Sequence, residues 1–380
     1  MGIIYIITAF LGLLYFIYPF WLMMFSPGKM GKIVEPQEIN SVSLILISCN
    51  GRQYLHEKII FLIKELAGFA QAELIIIDDS STDGSKEVIE NFRNHERVKI
   101  MLKNEQKGIP HSMNIGVENA KYETVIFCDQ RQKLSDQILQ RLVVPLKYRD
   151  IGAVSACLSH LDKQNCQSLM RRHENFLKAK ESRVGSLIGV YGPLYAIRKS
   201  CYSNIPEYII LDDLYLSLSI IKSKQIKIIK ECQIIDEDPS ILYDYKRTKR
   251  YLKGFIQILS DKSLLRQLNK KQLTMLLWHK YLRLLIPFFL ATSYIYTAYL
   301  GRLHIEFFVL FCALTLLGFV SALPALNKIQ FRFKNFIRIN ILYVFAMANL
   351  FINDLLIKRF LFSMRKKGAD KLFNETQHID

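Results

Sequence analysis

Residues 73–85 read ELIIIDDSSTDGS, an aliphatic run that passes directly into a polar, turn-forming stretch. The consecutive apolar residues predict a buried strand, and the Asp-Gly dipeptide that follows predicts a loop. Residues 42–47 repeat the pattern as VSLILI before Ser48, and residues 124–128 repeat it as TVIFC before Asp129. Strands that are apolar throughout are typical of a parallel sheet covered by helices on both faces. The sequence therefore predicts an α/β fold with a mostly parallel sheet.

Helical stretches separate these strands. Residues 54–67, 86–92 and 111–119 have helical spacing, and residues 98–102 form a further short apolar run. Sheets built from alternating strands and helices bind ligands beyond the carboxyl ends of their strands. The polar residues that follow the strands are therefore candidates for a binding site: Asn50, Asp78, Asp79 and Asp129.

The chain of 380 residues is 51% hydrophobic and carries a net charge of +17. A basic excess of this size first suggests a nucleic-acid partner. However, residues 261–380 hold 17 Lys and Arg against 6 Asp and Glu, a net charge of +11, in the most hydrophobic third of the sequence. No nucleic-acid recognition motif accompanies the charge. The distribution favours a membrane protein and argues against nucleic-acid binding.

Apolar runs predict transmembrane helices at both ends of the chain, because about 20 apolar residues cross a bilayer. Ile3–Phe25 is the N-terminal candidate, and Leu284–Leu300 with Phe307–Leu326 forms a candidate hairpin. A further run, Ile339–Ile357, either spans the membrane or lies along its surface, and the side of the C-terminus stays open. Basic residues follow the first run, so the positive-inside rule places the α/β domain in the cytoplasm of a multi-pass inner-membrane protein.

Changes in composition divide the chain into five predicted segments. These are an N-terminal transmembrane anchor (1–28), a cytoplasmic α/β domain (41–238), amphipathic interface helices (239–280), two or three C-terminal transmembrane helices (281–360) and a polar tail (361–380). The interface segment includes residues 241–259, whose basic and aromatic residues lie at helical spacing. Such a helix is suited to a membrane surface.

Seven short motifs occur in order between residues 41 and 255. They are Ser48-Cys49-Asn50, IDDSSTDGS (77–85), Asn104 with Gly108 and Asn114, VIFCDQR (125–131), GPLYAIR (192–198), LDDL (211–214) and RTKRY (247–251) with Gly254. In this order they resemble the family 2 glycosyltransferases, specifically the membrane-embedded branch that includes the cellulose and hyaluronan synthases. The resemblance implies a catalytic domain of the GT-A fold that transfers a sugar from a nucleotide donor with inversion.

The resemblance also implies nucleotide-binding roles for residues at the strand ends and in the segment that closes over the nucleotide. These residues are Ser48, Asn50, Asp78, Asp79, Gly108 and Asn114. Carboxylates suit this role because they accept hydrogen bonds from base N–H groups and ribose hydroxyls. The structural alternative is capping of the next helix, which Thr82 or Asp83 can perform while Asp78 and Asp79 stay available.

The 125–131 motif departs from the family. Asp129 stands where the family has the first residue of its Asp-x-Asp metal motif, but Arg131 replaces the second. The motif implies a divalent cation, Mg²⁺ or Mn²⁺, whereas an arginine is always charged and binds no metal. Three interpretations stay open. Asp129 holds a metal with the phosphates and water, Arg131 contacts the diphosphate directly, or the site is inactive.

The 211–214 motif implies the catalytic base. Asp213 would take the proton from the attacking hydroxyl, as inverting transfer requires, and Asp212 would orient it or bind the acceptor. Adjacent carboxylates raise one another's proton affinity, which suits a base. The structural alternative is a pair of aspartates at the start of a helix, where the helix dipole favours anions.

The 247–251 motif is similar to the Gln-x-x-Arg-Trp helix of the processive synthases. The resemblance implies that Arg250 holds the diphosphate and that Tyr251 stacks against the acceptor sugar, with Arg247 in the place of the Gln. Because Arg and Tyr replace Gln and Trp, an inference of polymer synthesis is weakened. The alternative is a surface helix whose basic face meets anionic lipids.

Together the motifs predict a membrane-bound inverting glycosyltransferase that uses a UDP- or GDP-sugar. Its acceptor would be lipid-linked or a polysaccharide, in cell-envelope glycan synthesis. A processive synthase that extrudes its polymer is an alternative within the same class, and it would need subunits to associate as a homo-oligomer because the spans are few. A non-catalytic membrane scaffold or nucleotide-sugar sensor is the alternative from a different class, since the metal pair is broken.

Overall fold

The computed structural model describes residues 17–24, 39–160, 166–236 and 241–300, together with residues 302, 305, 309 and 312. The chain forms two compact units. The larger consists of Gly12–Asp238 and Ile258–Tyr281 and contains the whole sheet. The other consists of Met1–Leu11, Pro239–Gln257 and Leu282–Asp380.

A sheet of eight strands forms the centre of the larger unit. The strands are β1 (Ser41–Ser48), β2 (Gln71–Asp78), β3 (Val98–Leu102), β4 (Thr124–Asp129), β5 (Lys133–Leu134), β6 (Ile151–His160), β7 (Leu194–Arg198) and β8 (Gln225–Asp236). Their order is β3-β2-β1-β4-β7-β6-β8-β5. The first four in this order run parallel, as do β6 and β8, whereas β7 and β5 are antiparallel to their neighbours. The predicted mostly parallel α/β sheet is confirmed.

Helices follow most of the strands. They are α1 (Tyr18–Met23), α2 (Arg52–Leu66), α3 (Ser85–Glu90), α4 (Gly108–Asn119), α5 (Ile138–Val143), α6 (Cys166–Val184), α7 (Asp212–Ile221), α8 (Ile241–Ser260), α9 (Lys262–Arg266), α10 (Lys270–Leu276) and α11 (Ile286–Leu300). Short 3₁₀ turns cover Val144–Lys147, Lys199–Cys201 and Leu282–Leu285, and a π-helical turn covers Leu277–Tyr281. The predicted elements between β1 and β4 agree with these bounds apart from a few terminal residues.

The strands are apolar throughout because helices bury both faces of the sheet. On one face, Leu44 of β1 belongs to the same buried cluster as Leu55 and Ile59 of α2. On the other face, α4 approaches β1 so closely that a Cβ on Gly116 would lie 2.9 Å from the Ile45 side chain. The missing side chain therefore lets α4 pack directly on the sheet, with its N-terminus near the strand ends.

Strand pairing brings three loops to one edge of the sheet. Ser48 at the end of β1 pairs with Asp78 at the end of β2, and Ile47 pairs with Asp129 at the end of β4. Parallel strands end at the same edge, so the residues that follow them lie side by side. This is the edge at which the sequence predicts the binding site.

Within the described residues, no helix is both long enough and apolar enough to cross a bilayer. The run Leu284–Leu300, which the sequence predicts as one continuous span, is the end of a 3₁₀ turn followed by the 15-residue α11. The predicted run Ile339–Ile357 lies outside the described residues, as do most of Ile3–Phe25 and Phe307–Leu326.

Candidate active site

The loop after β1 is interlocked with the loop after β2. Asn50 adopts a left-handed conformation, with φ of 49°. Its backbone N–H donates to Ser81 Oγ at 2.9 Å, and its side-chain oxygen accepts from the Thr82 N–H at 2.9 Å. Ser48, one of the predicted nucleotide contacts, is fully buried beneath this loop pair, and its hydroxyl has no hydrogen-bond partner in the part of the chain described. These hydrogen bonds hold the two loops together on one side of the candidate site.

The carboxylates of Asp78 and Asp79 accept hydrogen bonds from backbone N–H groups of the neighbouring loops. Asp78 is 0% exposed and accepts from the backbone N–H of Ser81 at 2.9 Å. Asp79 accepts from the backbone N–H groups of Lys107 and Gly108 at 3.0 and 2.8 Å. The structure therefore differs from the expectation that both carboxylates are available to a ligand, because backbone N–H groups occupy them. Their contact with a nucleotide stays a prediction.

The segment that follows β3 is fixed by the same carboxylate. Lys103 forms a buried ion pair with Asp79, and Gly108 takes the positive φ of 83° that begins α4. Burial and the charge of Lys103 lower the pKa of His111, in the next turn of the helix. The predicted closing segment is thus tied to the end of β2 through Asp79.

The side chain of Asn114, for which the resemblance implies a nucleotide contact, makes hydrogen bonds within the protein. Its amide nitrogen donates to the Ile205 carbonyl at 2.8 Å, and its oxygen accepts from the Ile205 N–H at 2.9 Å and the Tyr202 hydroxyl at 2.6 Å. The side chain therefore fixes residues 202–205 against α4. A nucleotide contact by Asn114 would require these bonds to break, so we describe it as a positioning residue.

The segment after β4 carries the departure from the metal motif. Asp129 is exposed at the end of the strand, and its N–H donates to the Pro193 carbonyl at 2.9 Å. Arg131 is half-buried two residues further on. Among the described residues, no group of three or more His, Cys, Asp or Glu side chains is placed to hold a metal ion. The donor set fits a divalent cation only if the substrate's phosphate oxygens complete the coordination around Asp129.

Two residues that the sequence does not single out fix this segment. Gln130 donates from its amide to the Cys49 carbonyl at 3.1 Å, which ties the β4 loop to the β1 loop. Lys58 of α2 is buried and donates to the Gln132 carbonyl. Neither residue type carries a motif signal, because glutamine and lysine are common on protein surfaces.

Gly51 provides a test of this link. A Cβ at Gly51 would lie 2.0 Å from the Gln130 side-chain oxygen, so Gly51→Ala displaces the amide from Cys49. We expect a loss of activity of about tenfold, because the segment of Asp129 and Arg131 loses its anchor. The measurement is kcat for nucleotide release from a sugar donor.

The control variant is Gly68→Ala. A Cβ there would lie 1.9 Å from the side-chain nitrogen of Gln140, so the steric change is the same at a position that touches none of the three strand-end loops. Equal rate losses in both variants would show that the effect is general destabilisation.

Asp212 and Asp213 form the first turn of α7. The predicted helix-start alternative is therefore correct as a description of their position, and it is compatible with a catalytic role. Asp213 accepts from the Leu214 N–H at 2.7 Å, and a Cβ on Gly192 would lie 3.5 Å from Asp213 Oδ2. Both carboxylates are half-buried.

Three carboxylates lie near enough to Tyr195, the second residue of β7, for their charges to act on its hydroxyl. Tyr195 is 2% exposed, and its hydroxyl has no hydrogen-bond partner within the described ranges. Burial raises the pKa of this hydroxyl, and the charges of Asp212, Asp213 and Asp129 raise it further. The candidate base and the residue of the metal motif therefore both lie in the neighbourhood of Tyr195.

Arg247, Arg250 and Tyr251 lie on α8, in the smaller unit. Arg247 donates to the Tyr251 hydroxyl at 3.3 Å, and the guanidinium carbons of Arg247 and Arg250 lie 5.4 and 5.8 Å from the centre of that ring. The helix itself is as predicted. The contacts of these side chains with a diphosphate or an acceptor stay predictions.

Comparisons with known proteins agree with this architecture. Residues 43–205 match the family model described as Glycosyl transferase family 2. The chain is 31% identical over 101 residues to an uncharacterized glycosyltransferase of Haemophilus influenzae, covering 26% of this chain and 40% of that protein. It is 21% identical over 177 residues to the poly-β-1,6-N-acetyl-D-glucosamine synthase of Staphylococcus epidermidis, covering 45% and 42%. The chain thus spans about two fifths of the length of these curated relatives.

A solved structure shows the same fold. The mannosyltransferase PcManGT of Pyrobaculum calidifontis, in complex with GDP-Man and Mn²⁺, superposes with a TM-score of 0.73 at 16% identity, covering 91% of this chain and 97% of that one. Residues 43–205 therefore match a family 2 glycosyltransferase domain model, and the fold is the one seen in that mannosyltransferase. The match agrees with the predicted family, whereas the cellulose and hyaluronan synthase branch stays a prediction.

Proposed function

We propose that the protein is an inverting glycosyltransferase that moves a sugar from a nucleotide-sugar to a lipid-linked or polysaccharide acceptor of the cell envelope. The observation that carries the proposal is that Asp129 and Asp213, with Asp212 beside it, both adjoin the Gly192-Pro193 segment. The match to the family model and the poly-β-1,6-N-acetyl-D-glucosamine synthase among the relatives support it. The donor is a UDP- or GDP-sugar in this proposal.

In the proposed reaction these side chains have separate roles. Asp213 takes the proton of the acceptor hydroxyl as its oxygen attacks the anomeric carbon of the donor. The bond from that carbon to the phosphate oxygen breaks on the opposite side, and the nucleoside diphosphate leaves. Arg131 stabilises the negative charge that develops on the diphosphate. A divalent cation bound at Asp129 would supply the same electrostatic stabilisation.

We also propose that the protein works at the membrane. Tyr18 and Leu22 of α1 are buried within the larger unit, whereas Phe20, Met23 and Met24 are 64%, 53% and 73% exposed. Exposed apolar side chains of this kind favour contact with lipid. They belong to the apolar run Ile3–Phe25, so they support a membrane anchor there.

The test is nucleotide release by the detergent-solubilised full-length protein with a panel of UDP- and GDP-sugars, with and without membrane lipid extract. We expect release that depends on the extract and on one donor. Release of a long product without lipid would support the processive synthase. No release under any condition would contradict the proposal and favour the scaffold or sensor.

A further inference from the structure

A buried cluster of charged residues lies on α6, inside the larger unit. Glu174, Lys178 and Glu181 share one face of that helix. The ring of His279 lies between the two glutamates, with Nδ1 2.6 Å from Glu181 Oε1 and Nε2 3.0 Å from Glu174 Oε2. Burial alone would raise the pKa of Glu181, but the His279 ring and the Tyr18 hydroxyl outweigh it and lower the pKa.

Lys178 is the cation of this cluster that faces the loop of residues 188–192. Its side chain is 1% exposed. The ammonium donates to the carbonyl oxygens of Gly189 and Val190, the latter at 3.4 Å, and lies 3.9 Å from the centre of the Tyr191 ring. A buried ammonium costs free energy unless its hydrogen bonds are made. The three contacts therefore tie three successive residues of the loop to α6.

Hydrogen bonds continue from this loop to Asp213. The Val190 N–H donates to Ser217 Oγ at 3.1 Å, and the Ser217 hydroxyl donates to the Asp213 carbonyl oxygen at 2.6 Å. Gly192, at the end of the loop, lies directly against the Asp213 carboxylate. The loop is thus linked to the main chain of the candidate base through Ser217 and adjoins its side chain at Gly192.

We propose that Lys178 is a positioning residue for Asp213, which it holds in place through the 188–192 loop and Ser217. The inference rests on the proposed function, because that function makes Asp213 the base. A catalytic carboxylate must be held to within about 0.5 Å of its working position. The 188–192 loop is bound by the buried Lys178 side chain and is linked through Ser217 to the main chain of Asp213. This arrangement provides such a constraint.

The charge of Lys178 makes its burial measurable. Burial, together with the charge of Lys280, lowers the pKa of Lys178 to about 7 against the opposing charges of Glu174, Glu181 and Asp213. These groups, the Tyr191 ring and the Cys157 thiol are the charged and titratable groups that face Lys178. In the unfolded chain a lysine has a pKa of about 10.4. Between these values the unfolded state binds more protons, so the folded state gains stability as pH rises.

Lys178→Met removes this pH dependence. The melting temperature of the variant minus that of the wild type is expected to be greatest near pH about 7 and to fall as pH approaches about 10. Thermal unfolding of the full-length protein across this range measures it. A difference that does not change with pH would show that burial does not lower the pKa of Lys178.

The kinetic test uses the same variant. Lys178→Met is expected to lower kcat for nucleotide release by about 10- to 100-fold with the donor KM unchanged, because the base moves and the nucleotide loops do not. The control is Lys180→Met on the same helix, whose ammonium lies 5.4 Å from the Phe176 ring. We expect wild-type kcat in the control.

A second pair of variants interrupts the link at its midpoint. Ser217→Ala is expected to lower kcat as Lys178→Met does, and the double variant is expected to lose no more than the larger single loss. Ser219→Ala is the control, because Ser219 makes the same hydrogen bond to the carbonyl four residues earlier, at 3.0 Å, but its hydroxyl does not bond the loop. If Lys178→Met does not fold, this pair still decides the question.

Hydrogen exchange separates this inference from the proposed function. The amides of residues 188–192 and of the start of α7 are expected to exchange faster in Lys178→Met than in Lys180→Met. If the wild type releases no nucleotide while these amides still exchange faster in Lys178→Met, the proposed function is refuted and the link from Lys178 to the loop stands. An active wild type with unchanged kcat in both Lys178→Met and Ser217→Ala would overturn the inference.

Discussion

Asp213→Asn is expected to lower kcat for sugar transfer by about 10³-fold. The amide keeps the size of the side chain and can occupy the same place against Gly192, but it cannot take the proton of the acceptor hydroxyl. Binding of the donor should change little, because the nucleotide loops at Asn50 and Asp79 do not contact this residue. Nucleotide release at saturating donor, with the acceptor present, measures the effect.

The control distinguishes catalysis from the helix-start role. Asp261 is the N-cap of α9 and accepts from the Leu264 N–H at 3.0 Å, so Asp261→Asn removes a carboxylate from another helix start. It should lower stability slightly and leave kcat unchanged. If Asp213→Asn behaves like Asp261→Asn, then Asp213 is only a helix-start residue and the assignment of the base is wrong.

The second large effect concerns Arg131. If its guanidinium stabilises the diphosphate, the wild-type enzyme keeps its activity in excess chelator, and Arg131→Met loses about 10²-fold. Arg131→Asp restores a second carboxylate beside Asp129 and should regain activity only when Mg²⁺ or Mn²⁺ is added. Lys133→Met, which removes a positive charge from the next strand, should leave the rate unchanged. Initial rates of nucleotide release with and without chelator measure all four proteins.

Complete loss of wild-type activity in chelator would contradict this account of Arg131. In that case Asp129 and the substrate phosphates hold a required metal, and Arg131 plays a lesser part. Loss of activity in Lys133→Met equal to that in Arg131→Met would show that only the net charge of the segment matters.

The first half of the domain could be predicted because its strands are continuous apolar runs that end abruptly at polar residues. β1, β2 and β4 are flanked by turn-forming sequence, and their ends mark the site. β6 (IGAVSACLSH) and β8 (QIKIIKECQIID) give no such signal, since small or charged residues interrupt them. Their strand character depends on pairing with each other, and with β7 for β6 and β5 for β8.

The roles of the site residues were less predictable than their positions. The motif places Asp79 at the strand end, but a carboxylate there satisfies loop N–H groups as readily as a nucleotide, and the sequence cannot distinguish the two. Lys178 and Glu181 lie about a hundred residues from His279 in the sequence. Lysine and glutamate are usually found at protein surfaces. Only the packing of α6 against the 188–192 loop and the π-helical turn brings them together and buries them.

The most direct test of the central claim is the stereochemistry of the product. Full-length wild-type protein in detergent is supplied with an α-linked nucleotide-sugar and membrane lipid extract, and the anomeric configuration of the transferred sugar is determined by NMR. In-line attack by an acceptor that Asp213 deprotonates predicts a β-linked product. An α-linked product, or no transferred sugar with any donor of the panel, would contradict the account.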